Sequence, residues 1–247
     1  MRHRLIHVFT GITPIRQRSA LASLVIATVA AAAIAAQDDA GTIERQRAAL
    51  LADPASASAR DTLKRLIDRP DPVPRDQYEK IQGILRQFPW PGEAVLAWRD
   101  EPGQPLIVSG TVRGAHGAPL DGALLHVFHT DAEGHYTRSA VMDEPHARLF
   151  AYIKTRADGR FQFRTIRPGG YPGSPDRQGE QWRIPQHIHF EISAHGYQER
   201  RFQMVFDDDP RMTAYWHEWA ARGGHPIVMV TRGADGVQRA TCNISLQ

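Results

Sequence analysis

The sequence predicts an all-β fold, an antiparallel β-sandwich of about eight short strands with a small N-terminal helical segment. From Pro105 onward, apolar and polar residues alternate with a period of two, as they do in half-buried strands. The chain has 20 glycines and 17 prolines among its 247 residues, and many of them separate the alternating runs, which favours turns over long helices. With 42% hydrophobic and 23% charged residues, the composition is that of a globular protein rather than a disordered one.

Residues 1–36 predict an export signal. Four arginines within residues 1–18 precede an uncharged run, 19–36, that is rich in alanine and ends in small residues. This order is typical of a secretory signal, here with cleavage near Ala35 or Ala36. The alternative is an uncleaved membrane anchor, because the run approaches the ~20 apolar residues that span a bilayer. The small-residue exit favours cleavage, so we expect export to the periplasm or the extracellular space, with no stable membrane span afterwards.

Charge and cysteine content narrow the possible functions. The formal net charge of +3 falls to −1 once residues 1–36 are set aside, because that segment holds four arginines and no acidic residue. The remainder therefore has no electrostatic basis for a nucleic-acid partner. Cys242 is the one cysteine, so no disulfide forms within the chain. Pairing between two molecules is one reading of it, but the alternation of its neighbours favours an inward residue of the last strand.

Residues 40–100 differ from the rest in having apolar residues at helical spacing. Two runs, 43–51 and 59–67, show this spacing, and a clear stripe follows at Tyr78, Ile81, Ile84, Leu85 and Phe88. Prolines at 70, 72 and 74 interrupt the path, and those at 89 and 91 end the last helix. We expect the stripe to pack on the main domain or on a second subunit, so a homodimer is possible.

Residues 105–247 are expected to form the sandwich. Its predicted strands are 106–112, 123–129, 149–155, 160–166, 187–194, 200–206, 227–231 and 239–246. Asp158 and Gly159 predict a hairpin turn between two of them. The stretch 167–181 lacks any regular pattern, and a loop of this length in a compact sandwich is more often functional than idle. The acidic run 207–209 follows a strand and is expected to be solvated.

The pair His187 and His189 predicts a metal site. Residues two apart in a strand point to the same face, so both imidazoles project together while Ile188 and Phe190 point into the core. Two imidazoles side by side on a rigid strand are suited to bind one metal ion. The alternative is a pair of solvent-facing or hydrogen-bonded histidines, because a His-x-His pair alone is a weak signal.

Two tyrosines strengthen the prediction of a metal site. Tyr171 lies in the long loop 167–181, where Gly170 precedes it and Pro172 follows it. Tyr136 follows a turn. A phenol is normally neutral, since its pKa is about 10, and a trivalent iron can displace its proton. Two tyrosinates and one hydroxide would balance a 3+ charge, with two neutral imidazoles completing five-coordination. Taken singly, each tyrosine could instead be a core aromatic with a hydrogen-bonded hydroxyl.

Four motifs, in order, resemble the intradiol ring-cleavage dioxygenases, the catechol, protocatechuate and hydroxyquinol enzymes. They are GTVRGAHGAPLDGA at 110–123, DAEGHY at 131–136, DGRFQFRTIRPGGYP at 158–172 and PQHIHF at 185–190. The resemblance covers roughly a hundred residues. It implies a non-haem Fe(III) held by Tyr136, Tyr171, His187 and His189. It also implies intradiol cleavage of a catechol-type aromatic diol by O₂ to a muconate-type diacid, with Tyr171 leaving the metal to accept a substrate proton.

One departure from the family pattern concerns an arginine. The family usually has a Trp-Arg-Pro-x-His run, whereas this chain reads Trp182-Arg183-Ile184-Pro185-Gln186-His187, one residue longer. Arg183 is the candidate to stabilise negative charge on the substrate ring, and an exposed arginine is the alternative. Gln203, on a following strand, is a further candidate near the site.

Two other functions remain open from the sequence. One is an exported transthyretin-like sandwich without catalysis, and the other is a different metalloenzyme, with zinc or copper bound by the histidines alone. The two tyrosines discriminate, because neither of these alternatives needs them.

Overall fold

The computed structural model of the protein describes residues 38–71, 73–138, 143–173, 179 and 182–247. The predicted export signal, 1–36, lies outside the described residues. Residues 43–247 form one compact unit. Within the described part of the chain, no helix combines the length and apolarity needed to cross a membrane.

Three helices form the N-terminal segment, as predicted. They are α1 at 38–52, α2 (Ala57–Asp68) and α3 (Arg75–Gln87). Ser56 caps α2 by accepting a hydrogen bond from the Ala59 N–H. The helix α3 ends just before Pro89, the residue predicted to end it. The apolar stripe of α3 is buried within the same chain, where the Tyr78 ring lies 5.9 Å from the Phe150 ring. The spare helix face that suggested a homodimer is therefore covered.

The strands form two sheets. Sheet 1 contains, in spatial order, β1 (Trp90–Pro91), β5 (Leu149–Lys154), β4 (Leu124–His129), β7 (His187–Ser193), β8 (Arg200–Phe206) and β9 (Ile227–Val228). Sheet 2 contains β10 (Val230–Arg232), β11 (Gln238–Thr241), β3 (Pro105–Arg113), β6 (Arg160–Ile166) and β2 (Glu93–Val95), and β12 (Ile244–Ser245) also pairs with β3. A fourth helix, α4 (Ala214–Gly223), connects β8 to β9.

The chain is mostly β, as predicted, but the prediction that the strands pair antiparallel was wrong in part, because both sheets are mixed. The long central strands β3 to β8 pair antiparallel, as expected. The short strands β1, β2, β9, β11 and β12 each pair parallel to one of these longer strands, and β10 pairs antiparallel to β11. A parallel pair needs a connection that returns the chain to its starting end, and α4 provides one between β8 and β9.

Six of the eight predicted strands are present within about one residue of their predicted bounds, and the last two are each broken in two. Met229 separates β9 from β10, and Cys242 and Asn243 separate β11 from β12. Cys242 is buried as predicted, but in this break rather than inside a strand. The strands β1 and β2, which have only two and three residues, were not predicted.

The core lies between the two sheets and fixes the orientation of β7. Phe190 packs against Phe161 and Phe163 of sheet 2, with ring centroids 6.1 and 6.0 Å apart. Because side chains alternate along a strand, His187 and His189 project from the opposite face of sheet 1. The predicted orientation of the two histidines is confirmed.

Candidate metal centre

The donor atoms of the four predicted ligands meet at one point. The Tyr136 Oη lies 2.8 Å from His189 Nε2 and 3.2 Å from Tyr171 Oη. The Tyr171 Oη lies 3.3 Å from His187 Nε2, and the two Nε2 atoms are 3.1 Å apart. The four atoms thus form a closed ring of contacts, although their residues come from three separate segments of the chain.

The spacing of these donors fits a single metal ion. Metal–nitrogen and metal–oxygen bonds of about 2.0–2.2 Å place neighbouring donors around a common ion about 3 Å apart. The four contacts, between 2.8 and 3.3 Å, agree with that spacing. Within the described residues, no group of three or more His, Cys, Asp and Glu side chains could hold a metal. A site at this point therefore needs the two phenol oxygens.

Both imidazoles are arranged to present a lone pair. His187 Nδ1 lies 2.7 Å from the Pro185 carbonyl, which can only accept, so Nδ1 carries the proton and Nε2 is free to bind a cation. The His189 ring stacks on Phe128 at 4.5 Å, and its Nδ1 lies 3.6 Å from a Glu144 carboxylate oxygen. Burial lowers the pKa of His187 to about 4 and that of His189 to about 2, so both rings are neutral near pH 7.

Burial has the opposite effect on the two phenols. It raises the pKa of Tyr136 well above the usual value of a tyrosine and raises the pKa of Tyr171 as well. Each phenol therefore stays protonated at neutral pH unless a strongly charged cation replaces its proton. Tyr136 is the more enclosed of the two, with 1% of its surface exposed against 8% for Tyr171.

Close backbone packing brings the two tyrosine loops together. A Cβ atom on Gly169 would overlap the Gly134 nitrogen and lie 2.5 Å from the Ala132 carbonyl oxygen. Gly134 has φ of 93°, and a Cβ atom there would lie 2.7 Å from the Gly170 carbonyl oxygen. The Gly169 N–H donates to the Asp131 carbonyl at 2.7 Å. Only glycine permits this approach, so these positions set the distance between Tyr136 and Tyr171.

A second group of contacts links the Tyr171 loop to the histidine strand. Arg167, at the start of the loop, donates from Nε to the Gln186 side-chain oxygen at 2.7 Å and forms a two-point ion pair with Asp208. The Asp209 carboxylate accepts the Gln186 N–H at 2.6 Å, directly before His187. The expectation that residues 207–209 are simply solvated was therefore wrong for Asp209, which is buried. Nothing in the sequence pattern marked Gln186 or Asp209, because their role depends on contacts between distant segments.

The two further candidates, Arg183 and Gln203, lie on segments that adjoin those of the donor residues. Arg183 is half-buried, and the next residue, Ile184, forms a β-bridge with Tyr171 through a 2.9 Å N–H to carbonyl hydrogen bond. Gln203 pairs with His189 across β7 and β8, so the two share a face of sheet 1. Its N–H donates to His225 Nδ1 at 2.9 Å. Both residues thus adjoin the segments that carry the four donors.

Comparison with known proteins identifies what this architecture is similar to. Residues 92–225 match the family model described as Dioxygenase. Catechol 1,2-dioxygenase 2 of Acinetobacter lwoffii is 33% identical over 152 residues, which are 58% of this chain and 54% of that protein. 6-chlorohydroxyquinol 1,2-dioxygenase of Cupriavidus pinatubonensis is 38% identical over 106 residues, 39% of this chain and 37% of that protein. The chain spans about half the length of the curated relatives it matches.

Solved structures share the fold. The catechol 1,2-dioxygenase of Acinetobacter sp. ADP1, inhibited by bound mercury, superposes with a TM-score of 0.53 at 24% identity, covering 64% of this chain and 57% of the other. The enzyme of the same name from Pseudomonas arvilla C-1 gives a TM-score of 0.53 at 19% identity, covering 79% of this chain and 93% of the other. At these identities the likeness extends to the arrangement of sheets and helices.

Proposed function

Since the chain belongs to the intradiol ring-cleavage dioxygenase family, whose model matches more than half of it, we propose that it cleaves a catechol-type aromatic diol with O₂. The observation that carries the proposal is the ring of four donor atoms, two phenol oxygens and two imidazole nitrogens, in which each atom lies within 3.3 Å of the next. The product is a muconate-type diacid that contains both oxygen atoms of O₂.

We propose that Tyr136, Tyr171, His187 and His189 hold a single non-haem iron in the Fe(III) state. Two buried phenols with raised pKa values ionise only beside a strong positive charge, which favours a trivalent ion over a divalent one. An iron held by these four residues would supply Lewis acidity that makes a catecholate ring reactive toward O₂. The neutral imidazoles leave the charge balance to the two phenolates.

Tyr171 is the proposed proton acceptor. It lies on a loop, and 8% of its surface is exposed, against 1% for the other tyrosine, Tyr136. Of the two histidines, His189 is the more exposed, at 9% against 3% for His187. Solvent and substrate therefore approach from the Tyr171 side. Away from a cation, burial favours the protonated phenol of Tyr171. A Tyr171 phenolate released from the cation would therefore take up one hydroxyl proton from a bound catechol.

Arg183 is the proposed partner of the substrate's negative charge. Its neighbour Ile184 is hydrogen-bonded to Tyr171, so its backbone lies directly beside the loop that carries Tyr171. A guanidinium there would stabilise charge that develops on the ring during cleavage.

The same contacts weigh against the two other functions. A sandwich without catalysis would gain nothing by burying two phenols whose oxygens face two imidazole nitrogens at the edge of its core. A metal held by the histidines alone would lack a third ligand among the His, Cys, Asp and Glu residues of the described ranges. We therefore retain the dioxygenase as the single proposal.

The proposed reaction predicts a specific product. Iron-loaded protein supplied with catechol and ¹⁸O₂ is expected to yield a cis,cis-muconate-type diacid carrying two ¹⁸O atoms, as measured by mass spectrometry. Cleavage of the bond between a hydroxylated carbon and its non-hydroxylated neighbour would instead give a yellow semialdehyde. That product would contradict the proposed intradiol cleavage. Protein refolded without iron is the control and should give neither.

We also propose that the protein is exported. The basic head and apolar run of residues 1–36 support this, and aromatic diols released outside the cell would then be its substrates. Expression with fractionation tests it. A mature N-terminus near residue 36 in the periplasm or medium is expected, whereas an intact N-terminus in the cytosol would contradict export.

A further inference from the structure

A fully buried ion pair on α2 reaches the loop that carries Tyr136. Lys64 is 0% exposed, and its Nζ donates to both carboxylate oxygens of Asp68 at 2.6 Å. Buried charges of this kind are rare and need complete pairing. The third donor position of Lys64 is used outside the helix, on the Arg148 carbonyl at 2.7 Å, 84 residues along the chain.

Arg148 passes this contact on to Tyr136. The Arg148 N–H donates to the Tyr136 carbonyl at 2.9 Å, so the two polar groups of the Arg148 backbone join Lys64 to Tyr136. The Arg148 guanidinium forms a two-point ion pair with Glu101 and lies 3.6 Å from Asp131. The Asp131 carboxylate in turn accepts the His135 N–H at 3.0 Å, one residue before Tyr136.

Asp68 holds the other side of the same loop. Its carbonyl accepts two hydrogen bonds from Arg138, at 3.1 and 2.5 Å, two residues after Tyr136. Its carboxylate also accepts the Trp98 indole N–H at 2.8 Å. The last turn of α2 therefore contacts Arg138 directly and reaches the Tyr136 backbone through Arg148.

We propose that Lys64, together with Asp68, is a positioning residue for the metal-binding side chain of Tyr136. The inference rests on the proposed ligand set and assigns the N-terminal helices a role in it. Neither residue touches the donor atoms. They act by fixing the backbone of Tyr136 so that its Oη stays 2.8 Å from His189 Nε2. Partners that orient metal ligands typically change metal affinity about 10- to 100-fold when removed.

Arg60 offers a matched control on the same helix. It is 2% exposed, lies one turn before Lys64, and donates to the Phe88 carbonyl at 2.8 Å and the Ser56 carbonyl at 3.0 Å. It is thus a buried cation whose hydrogen bonds, among the described residues, go to carbonyls of the helical segment, those of Phe88, Ser56 and Pro54. Arg60→Met should weaken the helical segment without loosening Tyr136.

The test compares three variants with wild type by the urea midpoint, by iron affinity against a competing chelator, and by the visible tyrosinate band per bound iron. Lys64→Met leaves Asp68 charged and buried, so the double variant Lys64→Met/Asp68→Asn removes both charges and keeps an acceptor for Trp98. We expect the double variant to lose about 10- to 100-fold in iron affinity and to show a weaker or shifted band. Arg60→Met should lower the urea midpoint and leave band and affinity unchanged.

Two results would overturn the inference. One is a folded double variant whose band and iron affinity equal those of wild type. The other is an Arg60→Met variant whose loss of iron affinity, relative to its loss of stability, equals that of the double variant. The effect of Lys64 would then be a general loss of stability rather than a specific effect on Tyr136. Wild-type protein that binds iron without a tyrosinate band would instead contradict the ligand set, and the inference with it.

Discussion

Tyr136→Phe is expected to remove most of the visible tyrosinate-to-iron absorption and to lower catechol cleavage by at least ~100-fold, because a direct ligand contributes more than the outer partners that orient it. Tyr136 is the more enclosed of the two phenols and contacts both Tyr171 and His189. Its replacement leaves His189 Nε2 without a phenol at 2.8 Å. Absorption spectra of iron-loaded protein and rates of O₂ uptake measure the two effects.

Tyr152→Phe is the control for this variant. Like Tyr136, Tyr152 is a buried tyrosine, and it lies on β5 of sheet 1. Its ring stacks on His126, with ring centroids 4.4 Å apart. Its removal should leave colour and turnover close to wild type. Colour and activity retained in Tyr136→Phe but lost in Tyr152→Phe would show that the wrong tyrosine had been assigned.

Gly169→Ala is expected to destabilise the protein by ~2–4 kcal/mol and to separate the two tyrosine loops, because the added methyl has no space. The nearest atoms are backbone, the Gly134 nitrogen and the Ala132 carbonyl oxygen, and they cannot move aside as a flexible side chain could. Iron-loaded Gly169→Ala should therefore have a weak tyrosinate band even where it remains folded. Thermal or urea unfolding, together with iron content, measures the result.

Gly83→Ala is the matched substitution at a glycine with open space. Gly83 lies within α3, is exposed, and a Cβ atom there would meet nothing within 4 Å. This variant should be about 0.5–1 kcal/mol more stable than wild type, with its iron site unchanged. A Gly169→Ala protein as stable as Gly83→Ala would mean that the two loops are not packed as described.

The four residues could be proposed as metal ligands from the sequence because each leaves a local trace, and the resemblance to a family joined them into one set. The spacing of His187 and His189 fixes their common face, and the glycines around Tyr136 and Tyr171 mark turns. Convergence of the two tyrosine loops could not be derived from spacing alone. The approach of the two loops depends on backbone packing at Gly134. The expectation that Tyr136 and Tyr171 share one metal came from the resemblance to a family.

The residues that support the donors left no such trace. Lys64 and Asp68 stand four apart in a helix, a pattern that ordinarily indicates an exposed ion pair, yet both are buried because Arg148 arrives from far along the chain. Asp209 belongs to an acidic run that is usually solvated, but its carboxylate supports Gln186. The parallel pairing of β11 and β12 with β3 was not predicted for the same reason, since pairing between short, distant segments has no local signature.

The central claim is that one iron lies between Tyr136, Tyr171, His187 and His189. Anomalous diffraction at the iron edge from crystals of iron-loaded protein tests it most directly. We predict a single strong peak about 2 Å from all four donor atoms, and its loss from crystals of Tyr136→Phe. A peak that contacts the two histidines alone, or one elsewhere in the protein, would contradict the account.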